Sequence, residues 1–521
     1  MSSNAQKSAD VELSAYGEPV KQESYNDESD MRRMGKKQDF NRNFQFLSIA
    51  AFSVVAISGW CYVPSTSTTA IANGGTGGLI IIFLSNWAGL TFVVLSLAEM
   101  SSIAPTAGGQ YHWASEFAPP SIQKVVSYIA GWLSSLSWLC GTSGAMFLTG
   151  TTMQGLIVAT NPSYVPQPWQ GYLFVVMIAS AGVLVNTVLA RYLPRLEGIM
   201  FIIFTMAFMA FMVVLWVLAP RLTTTEVFQT IQKGSGWGTL GLSLLASQSA
   251  VMFLLVGSDA TAHMAEETKK ASVVVPKAMI TSYVVNGGLG FIMTVTFCFL
   301  LVDYDNAENS PVGMIGLPFI QVFINAVGSV GGGTAMVAIL CVIQTFGCIN
   351  WMASNARQIF AFARDQGLPF SGWIAKVNMA GTYPVNSILF VWAFVVLISL
   401  ITLGSTIAFD AIVSLQILAL IFTYLVSLSC LIWRRLFGEP LPASPWTLGR
   451  FGLPINVVGI CYCVYLIIFL PWPIEVPVTA ENFNWAPVMF VGIMILSALY
   501  YILWARKIYK GPVFLVRPRE D

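Results

Sequence analysis

The feature that most constrains this chain is where its charges are missing. Of 51 charged side chains, 15 lie in residues 1–42 and 7 in residues 506–521, which leaves 29 for the 463 residues between. Soluble domains carry about 25% charged residues; this chain carries 10% and is 56% apolar. Burial rises only slowly with chain size, so a soluble fold cannot hide that much apolar surface behind so few charges. The chain is expected to be an all-α polytopic membrane protein with the lipid bilayer as its main partner. No basic cluster outside the tails suggests nucleic-acid binding.

A helix crossing the hydrocarbon needs about 20 apolar residues. Twelve stretches reach that length: 46–72, 78–103, 125–158, 170–190, 195–219, 241–263, 277–302, 320–363, 385–403, 406–433, 452–471 and 487–505. The third and eighth are long enough to tilt or to project beyond the bilayer. Residues 320–332, ahead of Gly333, are open to a second reading as a separate short helix.

Twelve spans put both termini on one side. On that count 24 of the 26 Lys and Arg residues fall on a single face, and only Arg221 and Lys233 lie opposite. The positive-inside rule makes the crowded face cytoplasmic. Met1 to Arg42 is polar and carries no cleavable signal, so the first span is expected to act as its own insertion signal. Residues 1–42 read as a disordered cytoplasmic arm and 506–521 as a cytoplasmic tail. The eight cysteines all lie in apolar stretches without a C-x-x-C pair and read as packing residues. With short outer loops and no N-x-[ST] acceptor, since Asn161 is followed by Pro162, function is expected inside the bilayer.

Two spans are interrupted. The first carries Ser58-Gly59-Trp60 near its middle, then Pro64 and the run Ser65 to Thr69. The sixth carries Gly257-Ser258-Asp259 between Phe253-Leu254-Leu255-Val256 and Ala260-Thr261-Ala262. Glycine and small polar residues weaken a helix, and the backbone groups they free must find other partners in lipid. Either break alone fits a kink or a packing face. Together they sit five spans apart, and a unit of five spans repeated in tandem is inverted across the membrane. Such paired breaks point to a secondary transporter with its site at the midplane. Residues 43–219 and 241–433 would be the two repeats, with two more helices over 452–505. Helix ends at such breaks can receive an anion, and unwound carbonyls a cation or ammonium. Asp259, ionisable at depth, is therefore the candidate for ion coupling or amine binding, against a structural helix cap. Glu99 and Asp410, nearer the interfaces, read as structural.

Three blocks carry a family resemblance. Gly257-x-Asp259-x-x-x-His263-Met264-x-Glu266-Glu267 is one, and Ser96-Leu97-Ala98-Glu99-Met100 leading into Pro105-Thr106-Ala107-Gly108-Gly109-Gln110-Tyr111 is a second. The third runs from Phe360 through Arg364-Asp365-Gln366-Gly367 to Ser371. They resemble fungal amino acid/choline, GABA permease-like transporters of the amino acid–polyamine–organocation superfamily, over residues 40–510. The resemblance implies a LeuT-like 5+5 inverted repeat working by alternating access, with GABA, an amino acid, choline or a related amine as cargo. It implies that Ser58 and Gly59 offer backbone groups to a carboxylate, that Phe253 gates the site, and that Gly257, Ser258 and Asp259 line its amine side. Some proton-coupled relatives carry a lysine on span five; here no Lys or Arg occurs between Arg195 and Arg221. Trp60 interrupts the usual small residues of the first break, and with Tyr62, Trp138 and Phe253 it could form a cage for a quaternary ammonium, against a plain interfacial or packing role.

His263-x-x-Glu266-Glu267 lacks the second histidine of a metalloprotease helix. It reads as a cytoplasmic gate of His263, Glu266, Glu267, Lys269 and Lys270; Arg364-Asp365 is open to two readings, as part of that gate or as a solvated loop pair. Asn73 to Gly78 lacks the lysine of a phosphate loop and reads as a tight outer turn. No cofactor, metal or nucleotide is expected, so an ion gradient, most simply of protons, would drive transport. The expected setting is a fungal plasma membrane or vacuolar membrane. Export or import of a basic secondary metabolite on the same fold, a membrane enzyme and a non-transporting nutrient sensor are the rival classes.

Overall fold

The computed structural model describes residues 27–377, 383–480 and 482–515. The outer parts of both expected tails, 1–26 and 516–521, and the Asp410 side chain lie outside the described residues. Among the described residues the regular secondary structure is all helical, apart from one isolated parallel bridge between Phe44 and Thr268. This is what apolar surroundings impose, because a helix satisfies its own backbone groups.

The helices that build the site are α1 (Phe46–Ile57), α2 (Gly59–Ile103), α3 (Gln110–Phe117), α4 (Gln123–Thr160), α5 (Leu193–Leu218), α6 (Ser249–Leu255), α7 (Ala260–His263), α8 (Ala271–Phe299), α9 (Val330–Arg364) and α10 (Thr406–Phe437). By length and composition nine stretches of helix among the described residues can cross a membrane. The difference from twelve expected spans has physical reasons. Phe46–Ile103 is one stretch of 58 residues holding two expected spans. It breaks at Ser58, whose φ is 43°, and again at Gly75, where φ 70° and ψ −175° leave the helical region. The expected outer turn over residues 73–78 is thus a change of direction at one glycine. A Cβ on Gly75 would lie 2.5 Å from the Thr230 carbonyl oxygen, so no larger residue fits. The 38 residues of α4 are long enough to cross but rich in Ser, Thr and Gly. That composition suits a helix buried inside the bundle, where small residues let neighbours approach; a Cβ on Gly141 would come within 2.7 Å of the Trp351 ring. The sixth expected span is divided into Leu240–Ala246, α6 and α7, each too short to cross alone.

The separate short helix ahead of the eighth span is present as Pro318–Val327. It ends at Gly328 with φ 67°, and Ser329 then caps α9 by accepting the Gly332 N–H at 3.3 Å. Helix α1 packs against α5, α8 and α9, and α4 packs against α9 and α10, so α1 and α4 lie inside the bundle. Outer helices expose apolar rows to lipid, with Leu503 72% exposed and Ile202 63% exposed. Residues 27–42 depart from the expected disordered arm: Asp27–Arg33 is helical, and Met31, Met34 and Phe40 are buried. Glu99 joins α2 to the end of α10 and the segment after it, accepting from Arg435, from Thr447 Oγ1 at 3.1 Å and from the Leu448 N–H at 3.0 Å. All eight cysteines are free and seven are buried.

Candidate functional site at the crossing of two broken helices

The two breaks lie side by side. A Cβ built on Gly59 would stand 3.0 Å from the Leu254 carbonyl oxygen and 3.4 Å from Asn286 Oδ1. Glycine is therefore needed where the first broken helix meets the second. The Gly59 N–H donates to Asn286 Oδ1 on α8 at 2.8 Å. Ser58 closes its own turn, donating its hydroxyl to the Val55 carbonyl. At the other break Val256 is extended and Gly257 has φ 102°, a conformation that side-chain-bearing residues rarely adopt. Ser258 and Asp259 follow, both buried. Gly59→Val is expected to destabilise the folded protein strongly, because the bulkier side chain must push against the Leu254 backbone and the buried Asn286 side chain; wild-type thermal stability of that variant would refute the close crossing.

Asp259 is fully buried. Its Oδ1 accepts from the Tyr424 hydroxyl of α10 at 2.8 Å, and its Oδ2 accepts from Gln110 Nε2 of α3. The side chain makes no capping bond to α7, although it occupies the residue before that helix. The helix-cap alternative thus does not describe it. His263 Nε2 lies 3.8 Å from Asp259 Oδ2, and its Nδ1 lies 2.8 Å from the Ala107 carbonyl oxygen. His263 is therefore part of the Asp259 cluster rather than of the charge network beneath it.

A chain of aromatic rings runs from this cluster toward the first break. Phe253 stacks parallel to Trp351 with centroids 6.3 Å apart, Tyr62 meets Phe253 edge-on at 5.5 Å, and Trp138 stands 4.8 Å from Trp351 and 4.9 Å from His263. Trp351 donates its indole N–H to the Ala56 carbonyl at the first break, 2.9 Å away. Trp60 is not among these rings. It is fully buried against Phe204, Phe208 and Phe211 of α5, at 5.7, 5.5 and 5.2 Å. The reason is helical geometry: at about 100° per residue, positions two apart face nearly opposite ways, so Tyr62 facing the cluster turns Trp60 away. Gln110, Tyr424 and Trp351 are the residues that sequence reasoning missed. Gln110 stands inside the second family-like block without an evident role, and Tyr424 and Trp351 read as ordinary aromatics of apolar spans.

Below the cluster lies a dense ionic layer. Arg364 holds both oxygens of Glu266, at 3.0 and 2.7 Å, and also reaches Asp39 at 3.1 Å. Glu267 receives Arg357 Nε at 2.8 Å, and Asp365 pairs with Lys36 while accepting from the Tyr111 hydroxyl at 3.0 Å. Burial by itself would raise the Glu266 carboxyl pKa; Arg364 and Lys36 outweigh it and hold the group below its ordinary value. The expected gate residues Glu266, Glu267, Arg364 and Asp365 do meet here. Lys269 and Lys270 do not join them; both are exposed. Their place is taken by the arm before α1. Asp27 accepts the Lys270 and Ala271 N–H groups at 2.8 and 2.9 Å, Arg42 donates to the Ala265 carbonyl at 3.1 Å, and Arg33 meets Glu116 at 2.6 Å.

The Arg33–Glu116 contact sets an acid limit. Burial alone would raise the Glu116 pKa, but His112, 3.4 Å away, and Arg33 pull it down to about 2. A carboxyl whose pKa is depressed on folding stabilises the fold above its ordinary value and loses that contribution as pH falls toward the folded value. Thermal stability is therefore expected to fall between the ordinary value of 4.5 and about 2, and Glu116→Gln should flatten that part of the pH profile. An unchanged profile in Glu116→Gln would show that the Arg33–Glu116 contact does not set the acid limit. Among the described residues no three His, Cys, Asp or Glu side chains gather to hold a metal ion.

Paired helix breaks around a buried carboxylate, inside a bundle whose outer rows are apolar, define a multi-pass membrane transporter. Residues 44–495 match the family model described as amino acid permease, and the chain belongs to that family, within the amino acid–polyamine–organocation superfamily. It is 30% identical to an uncharacterized amino-acid permease of Schizosaccharomyces pombe, over 94% of this chain and 90% of the relative. It is 27% identical to the amino-acid permease BAT1 of Arabidopsis thaliana, over 93% and 95%, and 26% identical to the choline transporter of Saccharomyces cerevisiae, over 88% and 81%.

Proposed function

We propose that this permease is a proton-coupled secondary transporter of a small amine, in the class of amino acids, GABA and choline, working by alternating access. The observation that carries the reading is the meeting of the two breaks, Gly59 against Leu254, with the Asp259 carboxylate beside them. Broken helices place helix ends where their backbone groups can turn to a cargo, and the carboxylate supplies a partner for an ammonium. The aromatic rings Phe253, Trp351, Trp138 and Tyr62 favour a cation further, since ring faces attract ammonium groups. Asp259 is on this reading both the amine's counter-charge and the first candidate for proton coupling. Ser58, Gly59, Gly257 and Ser258 shape the binding space around it.

The architecture proposed with this function is a bundle of twelve crossings. Two arise from Phe46–Ile103, one from α4 and one from the divided sixth span, and the rest are the remaining eight apolar stretches. Residues 43–219 and 241–433 form the inverted repeats and 452–505 the appended pair. Both termini are cytoplasmic, which assigns the ionic layer of Glu266, Glu267, Arg364 and Asp365 to a closed inner gate. The proposed home is a fungal plasma membrane, with the vacuolar membrane as the alternative. The test is uptake into sealed proteoliposomes of radiolabelled GABA, lysine, proline and choline under imposed proton or sodium gradients. Accumulation of at least one of them with the proton gradient is expected. Failure of every gradient to drive accumulation of any of the four would overturn the reading.

A further inference from the structure

A second buried carboxylate lies away from the breaks. Glu197, one turn into α5, is fully buried. Its Oε2 accepts from Asn350 Nδ2 of α9 at 2.9 Å, and the same amide nitrogen donates to the Phe52 carbonyl of α1 at 3.2 Å. Among the described residues Glu197 Oε1 and Asn350 Oδ1 have no hydrogen-bond partner. One amide thus ties three helices together and leaves two buried oxygens without a donor.

Among the described residues no cation pairs with Glu197. Arg191 and Tyr192, on the short turn of helix Ala190–Tyr192 that leads into α5, are exposed. Helix α1 and the Pro318–Val327 helix, both packed against α5, carry no titratable side chain. On α9 the charged side chains are Arg357 and Arg364, committed to Glu267 and Glu266, and the others that titrate are the thiols of Cys341 and Cys348. On α8 Lys277 is exposed, Tyr283 donates to the Trp87 carbonyl, and Cys298 is a buried thiol. On α5 itself the only other charge is Arg195, which is exposed. A buried charge without a partner is too costly to keep, so this site demands a bound cation or a proton. A hard metal cation takes a shell of about six oxygens. Here two oxygens are unpartnered, and the Asn350 amide group already engages Glu197 Oε2 and the Phe52 carbonyl. A single proton on Glu197 fits that donor set.

We propose that Glu197, with Asn350 as its positioning partner, is a second proton-binding site, separate from Asp259, whose occupancy sets the contact among α1, α5 and α9. The charged carboxylate holds the Asn350 amide by a charge-assisted bond, and protonation weakens that bond. Asn350 also holds α1 through Phe52, so the proton acts on the inner half of the first broken helix without touching the binding space. The link to transport rests on the permease function proposed above; the proton site itself does not.

Infrared difference spectra of the purified full-length protein in bilayers, recorded between acidic and alkaline buffer, test the site without any cargo. A carbonyl stretch of a protonated carboxylic acid is expected to be lost on raising the pH, to be absent from Glu197→Gln and to remain in Asp259→Asn. Asn350→Leu keeps the acid but removes its partner, so the band is expected to shift; that variant decides the matter where Glu197→Gln does not fold. Identical spectra for the wild type and Glu197→Gln overturn the proposal, as does loss of the same band in Asp259→Asn. A band that responds to sodium replacing potassium at constant pH also overturns it, in favour of a sodium site. Absent uptake in vesicles would bear on the transport reading alone.

Discussion

Asp259→Asn is expected to abolish proton-driven accumulation and to weaken binding of the transported amine about 10- to 100-fold, the worth of one charge-assisted hydrogen bond. The substitution keeps the shape of the side chain. Tyr424 can still donate to the remaining oxygen and Gln110 stays within reach, so the fold is expected to survive. What disappears is the negative charge beside the crossing of the two breaks. Substrate affinity by calorimetry, measured beside uptake under an imposed pH gradient, separates the two losses. Wild-type affinity together with wild-type pH dependence would remove Asp259 from both roles.

The second large effect lies in the ionic layer. Arg364→Ala leaves Glu266, whose side chain is 1% exposed, without the guanidinium that held both its oxygens. Removing one member of a buried pair costs about 3–5 kcal/mol, because the partner remains charged and unsolvated. Loss of thermal stability is expected in Arg364→Ala, with partial recovery in the Arg364→Ala/Glu266→Gln double variant, where the buried charge at 266 is gone and only the part-exposed Asp39 loses its partner. A double variant no better than the single one would mean that the pair does not act as a unit. If the layer is the closed inner gate proposed above, Arg364→Ala should also speed labelling of an engineered cysteine placed at Ala107.

Much of this architecture was legible in the residues. Glycine with small polar neighbours marks both breaks, because a span in lipid gains no stability from residues that weaken its own helix, and both breaks occur where expected. Asp259 stood out because charge is scarce at depth. The Glu266–Arg364 pairing followed from two charged blocks expected on one face. Other features were hidden by distance along the chain. Gln110 and Tyr424 come to Asp259 across 149 and 165 residues, and nothing in their own segments announces that meeting. Trp60 was misjudged because a residue beside a break can face either way until the helix phase is known. Glu197 escaped notice because it follows Arg191 and Arg195 at a span end, where a carboxylate reads as interfacial. The arm at 27–42 looked disordered by composition. Its charges are polar in sequence but paired in space, and pairing cannot be read from composition.

The short bridge between Phe44 and Thr268 has a mechanical consequence. The Phe44 N–H donates to the Glu267 carbonyl at 3.0 Å and the Lys269 N–H returns to the Phe44 carbonyl at 2.9 Å, just outside α1 and α7. Further in, Thr261 donates to Ser53 at 2.8 Å, and Ser53 donates to Ser282 of α8 at 2.9 Å. These halves of the two broken helices are thus stitched together at both ends, and Ser58 and Gly257, both at positive φ, stand where each half meets the rest of its helix. On the alternating-access reading proposed above, the pair moves as one lever: a swing of one half drags the other, and the inner side opens in one stroke instead of by two independent motions.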